Sequence, residues 1–435
     1  MKCGYFKVDI TPSPGCRLMG YLRERIADKV ADPLFVRAVA FQNEGTAIFL
    51  CFDLLGIRHA VNTEIREYVA QYVGCDRKDV FVSCTHTHTA PNIYSAFYPL
   101  ETKFINELKH YAARAAQGAL DDMKEATFAY TQSEVHDISF VRRYRMKDGT
   151  VQTNPGIGNP DILEPMNPGD DTLQLLRVTR EEAGDVLLVN YQVHPDTMGG
   201  KSISADYPGV VCDTLERAIP GVKCLYLNGT AGDLNHYNVH AEDWVPNKGS
   251  YHVNHIGRAI AGQVLNIYDK ARPIEAGPVK TAERETILKL KRPDQDMVAR
   301  SKVIMEHYRN GDIEKIPGYH RNFDLTTVVF EANRAVQLAQ MNGEQMVYVC
   351  GASLGDIALV GIPGEPFCEV GKQIRSASGF KAQFVMGQTN GMEGYFPTMD
   401  AFSVDGYESR TAIFEAGVAE NLIDAGNALV KQLRG

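Results

Sequence analysis

The chain has 435 residues, 44% apolar and 23% charged, with a formal net charge of −9 at pH 7. That length supports one large domain or two ordinary ones, and the mix is that of a folded protein. The negative balance argues against a nucleic-acid partner, and no apolar run approaches the roughly 20 residues of a membrane helix.

The opening MKCGYFKVDITPSPG lacks the basic stretch and apolar core of a signal peptide. The nine cysteines are scattered, with no CxxC pair. In a chain without an export signal they are expected to be buried thiols, and the location cytoplasmic. Extended runs are expected at 5–10, 36–41 and 47–53, then a helix at 62–73. A short apolar strand at 80–83 runs into Cys-Thr-His-Thr-His-Thr-Ala-Pro. The clearest helix of the first half is 104–123, with Phe104, Leu108, Ala112 and Ala115 along one face. Residues 127–130 and 138–140 read as extended. Residues 148–171, rich in Gly, Pro, Asn and Asp, read as a long functional or disordered loop.

Strands at 172–178 and 186–193 follow, the second ending at His194. Next come a helix at 208–219, a strand at 222–228 and helices at 251–268, 294–308 and 332–341. Strands at 346–350, 357–362 and 382–386 precede a closing helix at 413–433. This alternation predicts an α/β fold of mixed sheets with flanking helices. The chain is read as a single large domain over 1–435, with the charged segment 275–325 a possible insertion or subdomain.

Five strand exits carry the chemistry. In an extended run, His86 and His88 face the same way and reach one pocket, and imidazole is the commonest zinc ligand. The bland alternative is two polar residues in a turn. His194 ends a second apolar strand, followed by Asp196 and by Asp206 in Ser-Ala-Asp-Tyr-Pro-Gly. Asp233 follows the small-residue turn Asn-Gly-Thr-Ala-Gly, and Glu365 follows Ile-Pro-Gly. Gln-Thr-Asn-Gly-Met-Glu-Gly leads to Tyr395. Each signal is ordinary alone; together they place His, Asp, Glu and Tyr where α/β proteins assemble sites.

These motifs, with GYFKVDITP at 4–12, run through most of the chain in the order found in the neutral/alkaline non-lysosomal ceramidase family, whose catalytic domain the sequence resembles. The resemblance implies a catalytic zinc bound by His86, His194, Glu365 and Tyr395. It also implies a second active-site tyrosine at Tyr407, His88 lining the pocket, and an active-site arginine at Arg142. The sequence departs from the family at Asn235, which stands where the family has its attacking serine, and an amide is no nucleophile. Family members also add a C-terminal β-sandwich domain and are typically exported, whereas this chain ends in a helix and shows no export signal.

The expected activity is therefore zinc-dependent hydrolysis by activated water of an amide, ester or lactone bond in a small polar substrate. Asp233 or Asp206 is the candidate general base, or Asp233 orients a histidine. His88, Tyr407 and Arg142 are candidate oxyanion donors. Alternatives are a ceramidase-like N-acyl lipid amidase and an inactive ligand-binding relative; a two-metal phosphatase would need more paired ligands. Trp244 either borders the site or lies on the surface. The oligomeric state is left open.

Overall fold

A computed structural model describes residues 1–435 except 96, 243, 320, 321, 378 and 405. The larger sheet is built, among the described residues, from β1 (Lys2–Asp9), β2 (Phe35–Asn43), β3 (Gly45–Phe52), β4 (Val80–Cys84), β5 (Lys124–Glu134), β6 (Thr172–Arg180), β7 (Val186–Tyr191), β8 (Lys223–Asn228) and the short β9 (Arg272–Ile274). Its spatial order is β8-β7-β6-β5-β1-β2-β3-β4, with β9 beside β5. A second sheet takes β10 (Val279–Lys289), β11 (Glu344–Leu354), β12 (Ile357–Gly361) and β13 (Ala382–Met386) in sequential order.

The longer helices are α1 (His59–Val73), α2 (Thr102–Asp121), α3 (Asp206–Ala218), α4 (Ser250–Tyr268), α5 (Gln295–Asn310), α6 (Asn322–Leu338), α7 (Cys368–Ser376) and α8 (Val418–Arg434). Period-two patterning in the strands sorts side chains between two cores. On β2 and β3, Val36, Ala38, Ala40, Ile48 and Leu50 pack under α1 and α2. Their alternates Val39, Phe41 and Phe49 meet Leu359, Phe384 and Met386 of the second sheet. On β7, Leu187, Val189 and Tyr191 pack under α3 and α4, while Leu188 faces the second sheet. The outer face of the second sheet is covered by α7 and α8. The layers therefore run helix, sheet, sheet, helix, a mixed α/β architecture.

Most strand pairs are antiparallel, but β3–β4, β7–β8 and β12–β13 are parallel. Each parallel pair is joined by a helix (α1, α3 and α7), because parallel neighbours need a crossover. The carboxyl ends of these parallel strands are where the site forms.

Two expectations are corrected. Residues 148–171 are not one loop: Val151–Thr153 and Ile162–Pro165 pair with Arg143–Met146 in a small antiparallel sheet. The glycines and prolines mark its turns. Residues 275–325 supply β10 to the second sheet and then α5, which pairs with α6. The helix expected at 332–341 instead begins at Asn322. Its first half carries Thr326, Thr327, Val328 and Val329, weak helix formers, and packing of Leu325, Val329 and Ala332 against α5 overrides that propensity. The nine cysteines are all free thiols, seven of them buried. Among the described residues no helix is long and apolar enough to cross a membrane.

Candidate metal centre and active-site cleft

His86 leaves β4 with φ of +77°, a left-handed conformation that β-carbon sterics disfavour and that is held here by contacts on every side. Its backbone N–H donates to the Leu54 carbonyl at 2.9 Å. Its Nδ1 lies 2.6 Å from the Leu55 carbonyl, which can only accept, so the proton sits on Nδ1 and the Nε2 lone pair faces inward. His194 follows β7 and sets its Nε2 3.2 Å from that of His86. Glu365 follows β12, and its Oε2 lies 3.3 Å from His86 Nε2 and 3.9 Å from His194 Nε2.

Two imidazole nitrogens and a carboxylate oxygen thus converge on one point. Glu365 Oε2 is shut off from solvent without a hydrogen-bond partner, and so is His88 Nε2. Ligands held at zinc–nitrogen lengths around a tetrahedral ion lie about 3.3 Å apart, close to the His86 spacings. His86, His88 and His194 offer nitrogens all within 4.8 Å of one another, so these residues can hold a metal ion. Burial keeps His88 neutral, with its pKa lowered to about 4, and burial with His86 and Arg142 keeps His194 neutral too. Burial alone would raise the Glu365 pKa, but His86, Arg142 and Tyr395 together hold it below the usual value. Neutral imidazoles and an ionised carboxylate are the ligand forms a divalent cation needs.

His88 is seated by Gly20. Its Nδ1 lies 3.0 Å from the Gly20 carbonyl, and a Cβ at position 20 would sit 2.7 Å from the ring. Tyr395 is the parallel-bridge partner of Glu365, and its ring lies 5.6 Å from that of Tyr407. Arg142 lies behind both, its guanidinium 5.2 Å from the Tyr395 ring centre and 6.0 Å from that of Tyr407. Glu408 accepts from Arg142 Nε at 2.6 Å, and Thr153 Oγ1 donates to its other oxygen at 2.9 Å. Burial, then Glu365, pushes the pKa of both phenols up.

Asp233 is fully buried, and its carboxylate accepts from the Cys368 N–H at 2.7 Å and from Asn167 Nδ2 at 2.8 Å. It ties the β8 exit to the start of α7, three residues beyond Glu365, and touches no histidine. Gly232 makes this approach possible: a Cβ there would fall 2.4 Å from the Glu365 carbonyl oxygen. Asp206 accepts from the N–H groups of Thr197, Met198 and Tyr207 at 2.9, 2.9 and 2.7 Å, and so fixes the loop after His194. Asn235 donates to Asn154 and accepts from the His236 N–H.

One cleft of about 210 Å³ is lined by His86, His88, Glu365, Tyr395 and Tyr407. Its wall includes neither of the aspartates 233 and 206, nor Arg142, Asn235, Trp244 or any of residues 148–171. Trp244 is 75% exposed. Sequence reasoning missed Gly20, Tyr21, Arg58, Tyr94, Phe330 and Arg334, which also line the cleft. Arg58 follows the exit of β3, so the strand-end logic that found the histidines extends to it. Arg334 lies within a helix and carries no such signal.

No protein-family model matches the chain, and no curated protein matches it by sequence. Among solved structures it is similar to the neutral ceramidase from Pseudomonas aeruginosa, with a TM-score of 0.76 at 17% identity over 100% of this chain and 75% of that one. The chain has a neutral-ceramidase-like fold. A ceramidase complexed with C2 has the same fold, with a TM-score of 0.73 at 16% identity over 99% of this chain and 75% of that one. On this neutral-ceramidase-like fold the converging histidines and Glu365 occupy the carboxyl ends of β4, β7 and β12.

Proposed function

We propose that the protein is a zinc-dependent hydrolase of an amide, ester or lactone bond in a small substrate. The observation that carries this reading is the convergence of His86 Nε2, His194 Nε2 and Glu365 Oε2, within 3.9 Å of one another. Two imidazoles and one carboxylate are a donor set that zinc accepts. His86, His194 and Glu365 would hold the ion, and Tyr395 is the fourth ligand that the ceramidase resemblance implies. A zinc ion in such a site supplies Lewis acidity and makes water nucleophilic at neutral pH.

The chain's own residues then divide the work. The lone pair of His88 Nε2, unpartnered at the cleft, takes a proton or orients the water that carries one. The Tyr407 phenol, protonated and on the cleft wall, donates to the oxyanion that develops on the substrate carbonyl. Arg142 acts through Tyr395 and Tyr407, which it supports from behind. Asp233 and Asp206 are positioning residues for Glu365 and His194, since their carboxylates are spent on backbone N–H groups. With Asn235 at the place of the family's serine, attack by water needs no protein nucleophile. The cleft's 210 Å³ is below the roughly 300–1,000 Å³ of pockets for drug-sized ligands, which favours a small substrate over an N-acyl lipid.

The test is metal content by plasma mass spectrometry, paired with a hydrolysis screen running from short polar amides and lactones to N-acyl lipids. About one zinc per chain is expected, and none in the His86→Ala, His194→Ala double variant. Hydrolysis should disappear with the metal. Protein kept free of chelators that binds no metal would sink the reading and leave a ligand-binding relative. Two metals per chain would favour a phosphatase.

A further inference from the structure

The wall of the cleft away from the histidines carries two guanidinium groups. Arg58 immediately precedes α1, and its guanidinium lies 5.0 Å from the centre of the Tyr94 ring. Arg334 projects from α6 into the same cleft. Its Nη1 donates to Gln337 at 3.2 Å, and its Nε is shut off from solvent with no hydrogen-bond partner. Among the described residues no carboxylate lies within 4.0 Å of either guanidinium, although ion pairs are numerous elsewhere in the chain.

Glu393 is the acidic side chain of this wall; its charge partly offsets that of Arg334, but it makes no ion pair with either arginine. It accepts from the His59 N–H at 3.2 Å, stabilising the start of α1, and its second oxygen accepts from Gln345 Nε2. Two guanidinium groups therefore share a partly dry cleft without a direct ion-pair partner. Arg334 feels this directly: burial and then Arg58 lower its pKa. Such an arrangement is costly unless an anion completes it. Planar forks of N–H donors match the oxygens of carboxylate and phosphate. The amides of Asn333 and Gln337 stand on the same wall and add donors.

We infer that Arg58 and Arg334 form a receptor for a compact oxyanion, a carboxylate or a phosphate, carried by the substrate at the end away from the bond that is cleaved. This deepens the hydrolase reading and rests on it for the word substrate. Tyr94 and Tyr407 connect the two ends, since each phenol feels Glu365 on one side and Arg334 on the other. The substrate class that follows is a short amide, ester or lactone bearing one anionic group, in place of a neutral two-chain lipid.

Titration calorimetry of the purified protein with glutarate, inorganic phosphate and the neutral diamide glutaramide tests this directly. Glutarate or phosphate should bind wild type at least tenfold more tightly than it binds Arg58→Gln or Arg334→Gln. The anion whose affinity is lost in both variants identifies the group. Glutaramide should not discriminate. Thermal melting checks that the variants fold; should Arg334→Gln melt early, the partly exposed Arg58→Gln and the charge-keeping Arg58→Lys decide. Binding of both anions unchanged within twofold in a folded Arg58→Gln protein overturns the inference. A second readout separates it from the hydrolase reading. For a 4-nitroanilide of glutaric acid against that of pentanoic acid, the wild-type kcat/KM ratio should be tenfold or more and approach one in either variant. Arginine-dependent anion binding in a protein without metal or hydrolysis would retain the receptor and discard the hydrolase. Metal-dependent hydrolysis indifferent to the arginines would do the reverse.

Discussion

Glu408 shows how a residue outside the cleft sets its geometry. It is fully buried, 2.6 Å from Arg142 Nε and 3.5 Å from Arg143 Nε, both of which are almost wholly buried themselves. Its neighbour Tyr407 lines the cleft, and Arg142 lies beneath the rings of Tyr395 and Tyr407. Removing the charge leaves two guanidinium groups in the interior without their ion-pair partner. Glu408→Gln should therefore cost about 3–5 kcal/mol of stability, measured by urea unfolding. A loss under 1 kcal/mol would mean that the arginines find other partners. The same reasoning explains why Asp233 and Asp206 read as bases in the sequence. An aspartate in a loop after a strand looks chemical until the N–H groups that occupy it are seen.

At the scale of elements, the hairpin of α5 and α6 differs from the rest. In α5 only Ser301 and Met305 are buried, whereas α2 buries Leu108 and five alanines against the larger sheet. Its core is the small cluster around Leu22, Met305, Ile316, Leu325 and Val329. Few buried apolar contacts mean a low free energy of local opening. In hydrogen exchange followed by mass spectrometry, Gln295–Asn310 should exchange well before Thr102–Asp121. Equal protection would contradict the ranking. The point matters for function because α6 carries Phe330 and Arg334 into the cleft, so that wall is the one most able to move.

For the whole molecule, burial of thiols sets the alkaline limit. Burial raises the pKa of Cys3, Cys51 and Cys350 from 9.0 to about 12. Below pH 9 both folded and unfolded chains keep these protons. Above it the unfolded chain releases them while the fold retains them, so stability falls as pH rises from 9 towards 12. Lys291 works in the opposite sense, since burial lowers its pKa to about 8, but it is one group against several. The urea midpoint should fall steadily between pH 9 and 10.5, and less steeply in Cys51→Ala. A midpoint that stays flat over that range would count against the account.

Local patterning was enough to read most strands and helices, because period-two and period-3.6 burial is written into neighbouring residues. The exits that carry His86, His194, Glu365 and Tyr395 were legible for the same reason: strand ends and glycine turns are local. Free, buried cysteines followed from their scatter and odd number. Less was legible where long-range contacts overrule local signals. The strand Val279–Lys289 reads as a charged segment, since it lies at the sheet's edge with one polar face. The start of α6 is hidden by β-branched residues that only packing makes helical. Only the tertiary structure decided which aspartates are already hydrogen-bonded. It alone placed Arg58 and Arg334 together, 276 positions apart by their numbers, 334 less 58. Such pairings depend on how separate elements stack, and no spacing along the chain encodes that distance.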